Sequence, residues 1–95
     1  MKEKEIETYL RTRISSFGGR AYKFISPGND GVPDRLVCLP GGKVIFVELK
    51  TTGGKLRPLQ AVQIRRLQDL GFPVLVVDSK NQVDKLIESL GGDAP

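Results

Sequence analysis

"GVPDRLVCLPGGKVIFVELK", residues 31–50, decides how this chain is put together. Two aliphatic-rich segments, Arg35 to Leu39 and Lys43 to Lys50, flank Pro40-Gly41-Gly42, a pattern that predicts antiparallel strands joined by a tight turn. Val44 to Val47 would fill the centre of a sheet, yet their strand ends in Glu48 and Lys50, with Asp34 just before its partner. Alternation puts Val44, Phe46, Glu48 and Lys50 on one face and Ile45, Val47 and Leu49 on the other. Where Asp34 falls depends on register. A three-residue connection, Pro40 to Gly42, sets Leu36 opposite Phe46 and Asp34 opposite Glu48, so that all three charged groups converge. A regular two-residue Gly41-Gly42 turn would set Asp34 opposite Leu49 and send its carboxylate to the wrong face. A functional cluster therefore requires a three-residue loop or a bulge.

Outward from the hairpin, Ile6, Leu10, Ile14 and Phe17 fall at helical spacing between Glu3 and Phe17, and Gly18-Gly19 ends that helix. Arg20 to Ser26, RAYKFIS, alternates as a first strand, and "SPGNDGVP", residues 26–33, is a loop. A second flexible loop, "TTGGKLRP", follows Lys50 and delivers Pro58 to a first helical turn. Leu59, Val62, Leu67 and Leu70 then supply an apolar stripe, closed by Gly71. Val74 to Val77 is too short for a helix and reads as a strand. Ser79 or Asn81 caps a last helix that turns Val83, Leu86, Ile87 and Leu90 inward and ends at Gly91-Gly92. The order is α-β-β-β-α-β-α. A helix between the third and fourth strands makes that pair parallel, with a right-handed crossover, so the expected fold is α/β with a mixed four-stranded sheet flanked by helices. Residues 1–95 are expected to form one domain, with 91–95 as a frayed tail.

Ninety-five residues at 39% hydrophobic content suffice for one modest core, and self-association would help so small a domain. Fifteen Lys and Arg against eleven Asp and Glu leave a net charge of +4, which favours a polyanionic partner but does not require one. The absence of histidine excludes a histidine nucleophile-base pair and an imidazole metal site. One cysteine, Cys38, can form neither an internal disulfide nor a structural zinc site; it is expected as a small core residue in a reducing compartment. No apolar run suits a membrane span, and the charged start MKEKEIE lacks the apolar region of a signal peptide, so the expected setting is cytoplasmic, with no membrane partner. Hydrolytic chemistry here must use carboxylates, lysine and hard metal ions.

Two neighbouring carboxylates resist joint ionisation unless a cation sits between them. Hard oxygen ligands suit Mg²⁺ or Mn²⁺, which polarise a phosphoryl oxygen, lower the pKa of bound water and stabilise the leaving oxygen. Lys50 beside such an ion could position water or neutralise transition-state charge. Taken alone, Glu48 and Lys50 also suit an ordinary surface ion pair, with Asp34 capping a turn.

Pro33-Asp34, Glu48-Leu49-Lys50, the contexts "GVPDRLV" and "FVELK", and "PLQ" with Gln60 opening the next helix resemble the PD-(D/E)XK nuclease superfamily. Within it the chain is similar to the virus-type replication-repair nuclease (VRR-NUC) domain, in its short stand-alone phage-type form. The resemblance covers nearly the whole chain. It implies a restriction-endonuclease-like fold and a metal held by Asp34, Glu48 and the Leu49 backbone carbonyl, with Lys50 catalytic and Gln60 close by. Family members often add an acidic residue from the first helix. Glu7 is the preferred candidate here and Glu3 the alternative, although either also suits a first helical turn.

Lys55 and Arg57 on the glycine-flexed loop, Arg35 beside Asp34, and Arg65 and Arg66 on the next helix suit nonspecific contacts to a DNA backbone. Each also suits a solvated surface. With no tryptophan and six aromatics, a stacking platform for single strands has little support, and duplex or junction shape is the better target. The resemblance implies a homodimer acting on branched DNA such as a Holliday junction, in a bacterial or phage-infected cytoplasm. A non-catalytic DNA-binding module, or a nuclease-fold subunit of a larger replication or repair complex, is the alternative.

Overall fold

A computed structural model describes residues 1–93. The elements are α1 (Glu3–Ser16), β1 (Arg20–Lys23), β2 (Arg35–Leu39), β3 (Lys43–Leu49), α2 (Pro58–Asp69), β4 (Val74–Val77) and α3 (Lys80–Ser89), in the expected order. The sheet has the order β1-β2-β3-β4; β1, β2 and β3 pair antiparallel, and β4 joins β3 in parallel.

The hairpin register is the one that converges the charges. Leu36 pairs with Phe46 and Leu39 with Lys43, leaving Pro40, Gly41 and Gly42 as the turn. Gly41 and Gly42 have φ of +83° and +78°, left-handed values that would strain any residue with a Cβ. Leu49 N–H donates to Asp34 Oδ2 at 2.8 Å, so the Asp34 side chain takes up a strand group next to Glu48.

Two cores of unequal size cover the sheet. One face packs Val37, Ile45, Val47 and Leu49 under Ile6, Leu10 and Ile14 of α1 and Val83, Leu86 and Ile87 of α3. Tyr9 OH donates to Asp84 Oδ1 at 2.5 Å and Arg13 pairs with the same carboxylate at 3.3 Å, joining α1 to α3. The other face packs Phe46 and Val74 under Ile64 of α2, with Phe24, Leu36 and Leu67 around them. Phe46 lies 5.5 Å from Phe24 and 5.6 Å from Phe72, centroid to centroid.

The stripe expected on α2 is not the buried one. Leu59, Val62 and Leu70 are 47%, 44% and 74% exposed, and the helix instead buries Gln60, Gln63 and Ile64, with Leu67 half-buried. The reason is what the helix covers. Its N-terminal turns lie over the charged end of the sheet, where amides can be satisfied and leucines cannot. Gln60 bonds Glu48, and Gln63 Nε2 donates to Asp30 O at 3.2 Å.

Smaller departures have local causes. β1 stops at Lys23 rather than Ser26, because after Phe24 N–H reaches Asp34 O at 2.8 Å the neighbouring strand has ended. Ser79 is the α3 cap, its Oγ accepting from Gln82 N at 3.2 Å. Cys38 is half-buried rather than a full core residue. After Leu90, Gly91 and Gly92 donate to Glu88 O and Ile87 O, and Asp93 O accepts from Arg13. Residues 94 and 95 of the expected tail lie outside the described residues. No helix among the described residues is long and apolar enough to cross a membrane.

Candidate active site

The register of β2 against β3 brings Asp34 and Glu48 to one end of the sheet, and the N-terminus of α2 covers them. Glu48 is 1% exposed. Its Oε2 accepts from Gln60 Nε2 at 2.8 Å and lies 3.3 Å from Lys50 Nζ. Lys50 Nζ also donates to Gln60 Oε1 at 2.8 Å, which closes a three-membered ring of contacts. Gln60 Oε1 in addition accepts the Arg57 N–H at 2.9 Å, satisfying a free amide at the start of α2. One glutamine thus ties the helix start to both the acid and the amine.

The other Glu48 oxygen, Oε1, is buried with no hydrogen-bond partner. Burial pushes the Glu48 carboxyl up to about 7, the charge of Asp34 pushes the same way, and the Lys50 contact opposes both. An orphaned, buried carboxylate oxygen beside a second carboxylate is a place where a hard cation would be stabilised. Among the described residues no three Asp, Glu, His or Cys side chains gather into a ready metal cage. Two carboxylates and a backbone carbonyl nevertheless fit Mg²⁺, which keeps several waters and takes further oxygens from substrate phosphates.

The first-helix acids separate. Glu7 Oε1 receives Arg35 Nη2 at 2.6 Å, and Arg35 Nη1 donates to Ala21 O at 3.3 Å, so both side chains are engaged with each other. Glu3 is exposed, and its negative charge is near enough to Glu48 to add to the upward push on that carboxyl. The start of α1 is anchored there because Met1 O accepts from Thr52 N at 3.1 Å and from Thr51 Oγ1 at 2.8 Å, directly after Lys50. The spacing of apolar residues in α1 does not show the Glu7 contact, because Arg35 reaches it from another element.

Of the expected backbone-contacting cations, Lys55, Arg57 and Arg66 are exposed, while Arg65 is paired with Asp69 at 3.0 Å on the surface of α2. Arg35 is turned into the protein by its ion pair with Glu7, its side chain 12% exposed.

A mixed four-stranded sheet that presents an aspartate, a glutamate and a lysine two residues on at one end defines a nuclease domain of the PD-(D/E)XK type. Residues 7–81 match the VRR-NUC domain, and the chain belongs to that family. It is 51% identical over 81 residues to "Putative nuclease p44" of Acyrthosiphon pisum secondary endosymbiont phage 1, spanning 85% of this chain and 87% of that protein. A solved structure described as a VRR-NUC domain superposes with a TM-score of 0.86 at 40% identity, covering 93% of this chain and 96% of the other.

Proposed function

We propose that this chain is a divalent-metal-dependent DNA endonuclease that acts as a homodimer on branched duplexes such as four-way junctions. The observation that carries the reading is the buried Glu48, with one oxygen committed to Lys50 and Gln60, the other without a partner, and the charge of Asp34 acting on the same carboxyl. Asp34, Glu48 and the Leu49 carbonyl hold Mg²⁺ or Mn²⁺, with Glu3 rather than the Arg35-bound Glu7 as the supporting acid. Such an ion supplies charge stabilisation at the phosphoryl oxygens and a lowered pKa for water.

The chain's own groups do the rest. Glu48 and Gln60 fix Lys50 Nζ at 3.3 and 2.8 Å, so its charge is pre-positioned to orient water and to neutralise charge developing on the phosphorus oxygens. Gln60 acts as a positioning residue, because it touches both Lys50 and Glu48. Lys55, Arg57 and Arg66 contact backbone phosphates around the scissile bond. Duplex is favoured over single strands because only six aromatics are present and Phe24 and Phe46 pack on one another. Leu59, Val62, Leu70, Phe72 and Val76 remain exposed and give a second copy apolar surface to cover.

Purified protein incubated with Mg²⁺ or Mn²⁺ and a panel of linear, flap, forked and four-way DNA tests this. Symmetric nicks confined to the four-way substrate, lost on adding chelator and in Glu48→Ala, are expected. Cleavage of every duplex would replace the junction reading with a general nuclease. Binding without cleavage under both metals would leave a non-catalytic module.

A further inference from the structure

We propose that the cleft between α1 and β1 is a second DNA-backbone contact, which grips a duplex arm beside the acidic pair rather than over it. This rests on the DNA-directed reading above. The cleft has a volume of about 620 Å³, and its lining includes Arg11 and Ser15 of α1, Arg20, Tyr22 and Lys23 of β1, and Arg35 of β2. Among the described residues, no carboxylate lines it. Arg35 is already neutralised by Glu7, but no carboxylate among the described residues lies within salt-bridge distance of Arg11, Arg20 or Lys23. Three uncompensated cations around a polar concavity fit a run of phosphates.

The position of the cleft links it to the acidic pair. Lys23 is in register with Arg35, the residue after Asp34, and the next residue, Phe24, bonds Asp34 O. From Lys23 to Arg20 the β1 edge spans about 10 Å at ~3.3 Å per residue, and because alternation turns these two side chains to opposite faces, they flank that edge from either side. The span corresponds to about three nucleotides of one strand at ~3.4 Å of rise each. β1 is also a sheet edge. Because Phe24 N–H turns toward β2, the alternation of an antiparallel ladder turns the N–H groups of Ala21 and Lys23 outward, where they add donors for phosphate oxygens. The hydroxyls of Ser15 and Tyr22 extend that set. The amino-acid sequence does not mark these residues as a group, because they are spread singly over a helix and a strand rather than gathered in a basic loop.

The test is duplex binding without divalent metal, so that no cleavage intervenes, followed by fluorescence anisotropy against salt concentration. The variant Arg11→Ala/Arg20→Ala/Lys23→Ala is compared with Lys2→Ala/Lys4→Ala/Lys85→Ala, which removes the same charge from exposed positions outside the cleft. For a duplex of about 30 base pairs, the cleft variant is expected to bind at least ten-fold more weakly at low salt. Its log–log salt slope should fall by about 2 to 3, near 0.9 for each phosphate that is no longer neutralised. A lysine version of the two arginines should restore the slope. Equal losses in the two triple variants, or a cleft variant that binds like the parent, would overturn the proposal. Cleavage by the parent protein with Mn²⁺ is scored separately. A parent that cuts while the cleft variant binds normally refutes the cleft alone, whereas a parent that does not cut refutes the endonuclease reading and leaves the binding result standing.

Discussion

Replacing Glu48 by Gln should remove metal-dependent cleavage and, above pH 7, make the metal-free protein more stable. The Glu48 carboxyl is raised from 4.5 to about 7 by burial and by Asp34. With a raised folded-state value, the stability contributed by the bound proton is fully present below pH 4.5 and is lost as pH rises through about 7. At ~1.4 kcal/mol per unit the displacement amounts to about 3 kcal/mol at most. The amide stands in for the protonated acid, except that it adds an N–H at the partnerless Oε1 position, which costs ~1 kcal/mol. The variant should therefore exceed the parent by about 2 kcal/mol near pH 8.5, or roughly 8 to 16 °C in Tm for a domain this small. Near pH 4.5 the order reverses, with the parent ahead by ~1 kcal/mol. Thermal and urea unfolding with chelator present measure both limbs. A Glu48→Gln protein less stable than the parent at the higher pH would refute the claim that the ionised carboxylate is unfavourably buried, and with it the argument that a cation belongs there.

Lys50→Met keeps the half-buried stem and removes the charge, and should lower cleavage by at least ~100-fold with duplex binding nearly unchanged. Lys50→Arg should not restore it, because a planar guanidinium cannot reproduce a point contact to both Glu48 and Gln60. Single-turnover cleavage and anisotropy decide both cases. Glu3→Gln should reduce cleavage at least ~10-fold by weakening the metal site. Glu7→Gln should leave cleavage within a few-fold but lower Tm by roughly 4 to 8 °C, equivalent to ~1 kcal/mol from the Arg35 pair; the opposite pattern would transfer the supporting role to Glu7. Gly31 has φ of +86°, and a Cβ there would meet Leu59 C at 2.9 Å, so Gly31→Ala should cost about 1 to 3 kcal/mol in urea unfolding. Unchanged stability would show that the loop before Asp34 can lift off α2 freely.

What is legible in the sequence is whatever depends on short-range periodicity and chain length. The hairpin register follows from a three-residue turn and the two-residue alternation of a strand, and with it the meeting of Asp34 and Glu48. Element order and the parallel β3–β4 pair follow from spacing alone. The inward face of α2 does not. Counting apolar positions selects Leu59, Val62 and Leu70, but the helix lies over a carboxylate and an amine, and the residues that can answer them are Gln60 and Gln63. Gln60 itself stands out only through family resemblance; its triple role at Glu48, Lys50 and Arg57 N–H needs three elements in place. Nor does the helical spacing of α1 reveal that the Arg35 guanidinium crosses from β2 to take the Glu7 carboxylate.

The Pro40-Gly41-Gly42 turn imposes an unusual restriction on how this domain can vary. Surface loops normally absorb gains and losses of residues without consequence. This one begins six residues from Asp34 along β2, roughly 20 Å away at ~3.3 Å per residue. Yet removing one glycine would slide β2 by one position and rotate Asp34 to the far side of the sheet, disabling the site without altering any of its residues. Among homologous chains, insertions and deletions should therefore be tolerated between Ser26 and Gly31 or after Thr51 far more readily than at this exposed tip.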